Sequence, residues 1–183
     1  MDHFNYQNHQ LFAEDVPLNE VAEQYGTPAY VYSRATLERH AKAYTESFNS
    51  MNGLVCFSVK ALSNISILKI LKNCGCGFDI VSGGELHRVL LAGADPKKII
   101  FSGVGKSKAE MSAGIKNEIL SFNIESESEL IQLEKVAAEM GKTAPVAIRF
   151  NPGVDAGVHE FTKTGRKSDK FGVSIDKAMQ LSA

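Results

Sequence analysis

The chain has almost no excess of charge: twenty Lys and Arg stand against twenty-one Asp and Glu, for a net charge of -1. That balance gives no electrostatic case for a nucleic acid or an anionic membrane as partner. Long apolar runs are missing too, and the longest ones are only strand-length. The opening MDHFNYQNHQ lacks a basic region followed by an apolar stretch. Neither a spanning helix nor a secretory signal is legible, and the default location is the cytoplasm. Cysteine is scarce. Cys56, Cys74 and Cys76 are odd in number and lie among apolar residues, which suits reduced core thiols better than a disulfide framework. Cys74 and Cys76 have no second Cys or His pair at ligand spacing, so no metal site is read.

What is present is a core and a repeat. With 183 residues, 44% of them apolar, the chain can bury a sizeable interior. In PLNEVAEQYG, residues Leu18, Val21, Ala22 and Tyr25 share one helical face, and Gly26 supplies a C-cap. TPAYVYS then reads as a strand, and Ser33 caps a long helix from about Arg34 to Phe48. From Leu54 the pattern is strand, loop, helix, repeated. The strands are LVCFSV, GFDIV, KIIFSG, ILSFNI and APVAIRF, with helices starting near Asn64, Gly84, Ser107 and Ser126. Apolar strands alternating with amphipathic helices imply a parallel sheet covered by helices, either a doubly wound open sheet or a (β/α)8 barrel. Lys60, Ser82, Gly103, Glu125, Arg149 and Asn151 all fall at or just after strand C-termini, where barrels place their chemistry. Open α/β sheets bind ligands at the same ends, so both architectures stay in play.

Glycine is missing where nucleotide motifs need it. GVGKS follows a strand and opens a helix, but Ile100 stands where a P-loop needs its first glycine. GCGFDI begins like a dinucleotide fingerprint, but it precedes its strand and has Ile80 at the third glycine position. SGGE, Ser82 to Glu85, could turn free N–H groups toward an anion; an ordinary helix cap is the favoured reading. His87 reads as a helix-surface or packing residue. His159, in the polar loop GVHEFTKTG, is placed to meet a ligand. ESESELIQLEK reads as a solvated face whose glutamates suit a helix N-terminus.

Lys60 ends the strand in FSVKALSN. Most such lysines extend into solvent. An amine held at the rim of an apolar barrel, however, is disfavoured as the charged form and stays nucleophilic, ready to form a Schiff base. Asp79, at the end of the following strand, could position that amine or exchange protons with it.

FSVKALSN resembles the cofactor-lysine segment of pyridoxal-phosphate (PLP) decarboxylases of the alanine-racemase-like barrel group, and GFDIVSGGEL resembles the segment that follows it there. FSGVGKS, FNIESESEL and RFNPGVDAGVHEFTKTGRKSDKFG are similar to the branch that acts on diaminopimelate. The resemblance implies PLP as cofactor on Lys60, with Asp79 and Arg149 near it. It implies the loop through His159, Thr164 and Gly165 and the segment Lys170 to Gly172 near the active site, with His159 as a substrate contact. The implied activity is loss of CO2 from an amino acid, in a cytoplasmic homodimer.

The implied fold is an incomplete (β/α)8 barrel of about five units over residues 34–183. Residues 1–33 then form a helix-strand-helix preface that packs on a second, C-terminal β-domain. The pattern shows only about five of eight strands and lacks the group's phosphate loop, so the chain is expected to be an N-terminal portion, inactive alone and with exposed sheet edges. Alternatives within the resemblance are a decarboxylase acting on ornithine, arginine or carboxynorspermidine, and a non-catalytic PLP-binding barrel.

Overall fold

The N-terminal segment opens with strands that the sequence pattern does not announce. In the computed structural model, which describes residues 2–152 and 171–182, β1 (Phe4–Gln7), β2 (Gln10–Ala13) and β3 (Val16–Pro17) form an antiparallel meander. Asn8 and His9, between β1 and β2, both have positive φ (47° and 65°), the conformation that a two-residue hairpin matched to strand twist requires. Helix α1 (Leu18–Tyr25) follows and ends at Gly26, as read from the sequence.

Residues 27–33, expected as a strand, carry no strand pairing among the described residues. Tyr30 is 92% exposed and Tyr32 48% exposed. High β-propensity is realised only against a neighbouring strand, and none of the described strands pairs with this stretch. Ser33 does cap α2 (Arg34–Asn49), its hydroxyl accepting from Thr36 N at 3.0 Å. Glu14 fastens the meander to the same helix start. Its Oε1 accepts from Ala35 N at 2.9 Å and from Ser33 Oγ at 2.8 Å, and these bonds hold its carboxyl below the usual carboxylate range.

Beyond α2 the expected alternation appears. Strands β4 (Cys56–Ser58), β5 (Gly77–Ile80), β6 (Ile99–Phe101), β7 (Ser121–Ile124) and β8 (Val146–Ile148) alternate with α3 (Ile65–Asn73), α4 (Gly83–Leu91), α5 (Lys108–Asn117) and α6 (Glu127–Glu139). Every pairing in the sheet is parallel, and its order is β4-β5-β6-β7-β8. Chain order and spatial order coincide, with no reversal of the kind that creates the ligand crevice of a doubly wound sheet. The segment read as APVAIRF is divided: β8 ends at Ile148, and β9 (Phe150–Asn151) pairs instead with β10 (Val173–Ser174), which leads into α7 (Ile175–Leu181).

One face of the sheet carries the core. Phe78, Ile80, Ile99, Phe101, Phe122 and Ile124 have 0% exposure, and they pack with Leu68 of α3, Val89 of α4, Met111 of α5 and Leu133 of α6. Fully burying side chains of this size contributes roughly 1.5–3 kcal/mol each. Side chains alternate across a strand, so the residues between them face the other way. That second face holds the polar groups.

Candidate active site

Asp79 is the hub of the polar face. It lies in register with Ser58 on the neighbouring strand. Its Oδ2 accepts from Ser58 Oγ at 3.2 Å and its Oδ1 from Ser102 Oγ at 2.5 Å. Asn123 Nδ2 donates to Ser102 Oγ at 2.9 Å. The result is a hydrogen-bonded row across β4, β5, the end of β6 and β7. Cys56 shares this face, and its thiol is pushed up to about 11, first by burial and then by the negative charge of Asp79. It therefore stays a protonated thiol at neutral pH, consistent with the reduced state read from the sequence.

Lys60 is not the last residue of its strand. β4 stops at Ser58, and Lys60 sits in the single 3-10 turn Val59–Ala61 that follows. Val59 is fully buried while Lys60 is exposed. The turn anchors itself through the valine and leaves Lys60 at the surface. The apolar rim expected around Lys60 is not supplied by the described residues, because the sheet does not close over it.

Arg149 and Glu125 form the second part of the site. Glu125 follows β7 directly, and its side chain is 2% exposed. Its Oε1 accepts from Arg149 Nη1 at 3.0 Å and its Oε2 from Gly172 N at 3.0 Å. The Arg149 guanidinium lies 4.7 Å from the centre of the Phe171 ring, a cation–π contact. Ser102, Asn123, Glu125, Ala147, Ile148 and Arg149 line a cleft of about 340 Å³ at these strand ends.

Two glycine-containing segments find structural uses. Lys106, in GVGKS, is buried, with 1% side-chain exposure. Its Nζ donates to Gly103 O at 2.8 Å, Asn123 O at 2.7 Å and Glu129 Oε1 at 2.5 Å. All of its donors are thereby committed to protein oxygens. At SGGE, Ser82 caps α4 by accepting from Glu85 N at 3.2 Å, and Gly83 N donates to Glu110 Oε1 at 2.7 Å. A protein carboxylate occupies the place of the anion, which bears out the cap reading.

ESESELIQLEK is not wholly solvated as expected. Glu125 is buried, and Glu129 has only 9% side-chain exposure, because one receives Arg149 and the other Lys106. His87 is exposed on α4, in keeping with a surface role. His159, Thr164, Gly165 and Lys170 lie outside the described residues. Ser102 and Asn123 escaped the sequence reading, and so did the pairing of Arg149 with Glu125, although both of those residues were read at strand ends. The signal for the first two was a polar residue at the alternate, inward position near a strand end.

The donor set at these strand ends can be tested against a pyridoxal group. A primary amine suits a carbonyl carbon, a guanidinium suits an oxyanion, and an Asp held by two serine hydroxyls supplies a fixed negative charge. These fit the aldehyde and ring of such a group. Of the glycine-containing helix starts, Gly83 N and Lys106 are already committed, so neither serves its phosphate. Among the described residues no group of three or more His, Cys, Asp or Glu could hold a metal ion, and no helix is long and apolar enough to cross a membrane.

Comparison with known proteins agrees with that chemistry. Over 182 residues the chain is 54% identical to a diaminopimelate decarboxylase of Vibrio cholerae, covering 99% of this chain and 44% of that protein. The crystal structure of diaminopimelate decarboxylase from Helicobacter pylori complexed with L-lysine is 40% identical, with a TM-score of 0.85 over 90% of this chain and 42% of that one. The diaminopimelate decarboxylase structure from M. jannaschii is 36% identical, with a TM-score of 0.89 over 100% of this chain and 43% of that one. The chain thus spans less than half the length of these relatives. The family model of the pyridoxal-dependent decarboxylases, pyridoxal binding domain, matches residues 34–183. Because that model covers more than half of its residues, the chain belongs to the pyridoxal-dependent decarboxylase family, and its cofactor is pyridoxal phosphate.

Proposed function

We propose that the chain serves as the PLP-binding part of an enzyme that decarboxylates meso-2,6-diaminopimelate to L-lysine and CO2. The observation that carries this reading is the 54% identity to the Vibrio cholerae diaminopimelate decarboxylase over 99% of the chain. Likeness to a lysine/ornithine decarboxylase of Vibrio vulnificus is 18% in sequence, with a TM-score of 0.70, and bears on the fold alone.

In this reading the sequential sheet is the first part of a (β/α)8 barrel, and its polar face is the barrel interior. Residues 1–33 belong with a second, β-rich domain, a placement supported by the exposure of Tyr30 and Tyr32. Lys60 is the amine that holds the cofactor, and the 3-10 turn fixes where that amine emerges. Ser58 and Ser102 keep Asp79 facing the amine's side of the sheet. Arg149 neutralises an oxygen anion, and His159 contacts substrate. When bound, the cofactor supplies an electron sink for the bond to the departing carboxylate. The complete enzyme works as a cytoplasmic homodimer, and the 183-residue chain alone does not turn over substrate.

The test is CO2 release by the full-length protein from meso-diaminopimelate, ornithine and arginine, together with borohydride reduction and peptide mass mapping. The expected result is turnover of diaminopimelate alone, with reduced cofactor on Lys60. Preferred turnover of ornithine or arginine, or label on another lysine, would overturn the assignment.

A further inference from the structure

Glu125 combines two properties that do not fit a helix-capping carboxylate. Its side chain is 2% exposed, and a charge taken so far out of water needs a partner of opposite sign. The partner is the Arg149 guanidinium at 3.0 Å, a group whose own side chain is 39% exposed and lines the cleft. The second carboxylate oxygen receives Gly172 N at 3.0 Å. Gly172 has φ of 75°, and a Cβ built on it would stand 2.8 Å from Arg149 O; only glycine lets the backbone come this close. Val173 N donates to that same Arg149 oxygen at 3.0 Å.

The carboxylate is fixed from behind as well. Glu125 N donates to Glu129 Oε2 at 2.9 Å, and the other oxygen of Glu129 holds buried Lys106 at 2.5 Å. Lys106 in turn binds the carbonyls of Gly103 and Asn123. The hydrogen bonds from the ends of β6 and β7 thus fix the Glu125 backbone, and its side chain carries the carboxylate to the guanidinium.

We propose that Glu125 is a positioning residue: its buried carboxylate sets the orientation of the Arg149 guanidinium in the cofactor cleft and holds the Phe171–Gly172 turn against it. This rests on the pyridoxal reading of the cleft but not on the identity of the substrate. Glu125→Gln keeps the shape and loses the charge, so Arg149 keeps a neighbour but loses the ionic restraint on its direction.

The test is equilibrium titration of the full-length apoprotein with PLP, followed by absorbance, for wild type, Glu125→Gln, Arg149→Met and the double variant. The expected result is a loss of affinity on the order of tenfold in Glu125→Gln, the weight of one charge-assisted hydrogen bond. In the Arg149→Met background the same change should have no further effect, because Glu125 acts through the arginine. Wild-type affinity in Glu125→Gln, or losses that add in the double variant, would overturn the proposal. Glu125→Asp, which keeps the charge, should recover part of the affinity. If all the Glu125 variants fail to fold by circular dichroism, the residue is structural and the proposal fails. PLP binding is read without substrate, so a negative result for diaminopimelate turnover leaves the outcome intact.

Discussion

The two faces of the five-stranded sheet use the same strands for different ends. On one face, Phe78, Ile80, Phe101, Phe122 and Ile124 are wholly buried beneath the helices. On the other, Ser58, Asp79, Ser102 and Asn123 bond to one another across strands. In register, Phe78 and Asp79 are consecutive residues that point to opposite sides. A one-residue slip would exchange a buried phenyl ring for a carboxylate, so the apolar face fixes the register and thereby places the chemistry. Stability and reactivity are coupled through the pleat.

Substitutions can break this division of labour. The largest effect is expected from Lys60→Ala. On the polar side, loss of the only amine on the 3-10 turn should lower decarboxylation by about 10³-fold or more without altering the denaturation midpoint of the full-length protein. Activity assay and urea titration on the same sample check both halves. Phe122→Ala is the opposite case. Phe122 stacks on Phe101 with ring centroids 6.0 Å apart, and its truncation should cost about 3–5 kcal/mol, visible by chemical denaturation. Cofactor affinity of the protein that remains folded should be retained, and a large affinity change would show that the faces are not separable.

Ser102→Ala probes the boundary between them. It removes one donor to Asp79 and the acceptor of Asn123 Nδ2, and should cost about 1 kcal/mol of stability. Its effect on kcat should exceed the rate change seen for Ser112→Ala, whose hydroxyl only bonds back to Lys108 O within α5.

The smallest effect lies outside both faces. Backbone bonds from Ser107 and Gly83 hold Glu110 below its ordinary value of 4.5. A depressed carboxylate contributes stability above its unfolded value and loses it as pH falls through the folded one. The difference in Tm between wild type and Glu110→Gln should therefore be present at neutral pH and shrink below about pH 4.5. A difference unchanged in acid would mean that the charge of Glu110 is not what stabilises the cap.

Local chemistry was the legible part of this chain. Ser33, Asn64, Ser82, Ser107, Ser126 and Ser174 all cap helices, and each is readable because a cap needs only its own next three residues. The five parallel strands were legible for the same reason, as short apolar runs between turns. The hairpin at Asn8 and His9 was not, since its turn lacks the Asn-Gly pair that usually marks it. Tyr30 to Tyr32 misled because strand propensity says nothing of whether a partner is at hand.

At the proposed site, Lys60, Asp79 and Arg149 are put forward by resemblance, while periodicity placed them at or just after strand C-termini. The Glu125, Arg149 and Gly172 contact joins three segments far apart in the chain, and no window of sequence contains it. The burial of Lys106 was hidden likewise, because its acceptors lie on the loop after β6, on β7 and on α6.

The serine-x-x-glutamate pattern at the starts of α4, α5 and α6 has a consequence for how the molecule comes apart. Glu85, Glu110 and Glu129 each close the start of their own helix, bonding Val81 N, Ser107 N and Glu125 N. Glu110 also reaches back one unit to Gly83, and Lys106 reaches forward one unit to Glu129. Stitching that extends no further than the adjacent unit gives the array the energetics of a linear repeat, a sum of unit terms and nearest-neighbour joins. In the 183-residue chain by itself, where β4 and β8 are the outer strands of the sheet, opening should then begin at an outer strand and travel inward one unit at a time, so amide protons of β6 exchange last and those of β4 and β8 first.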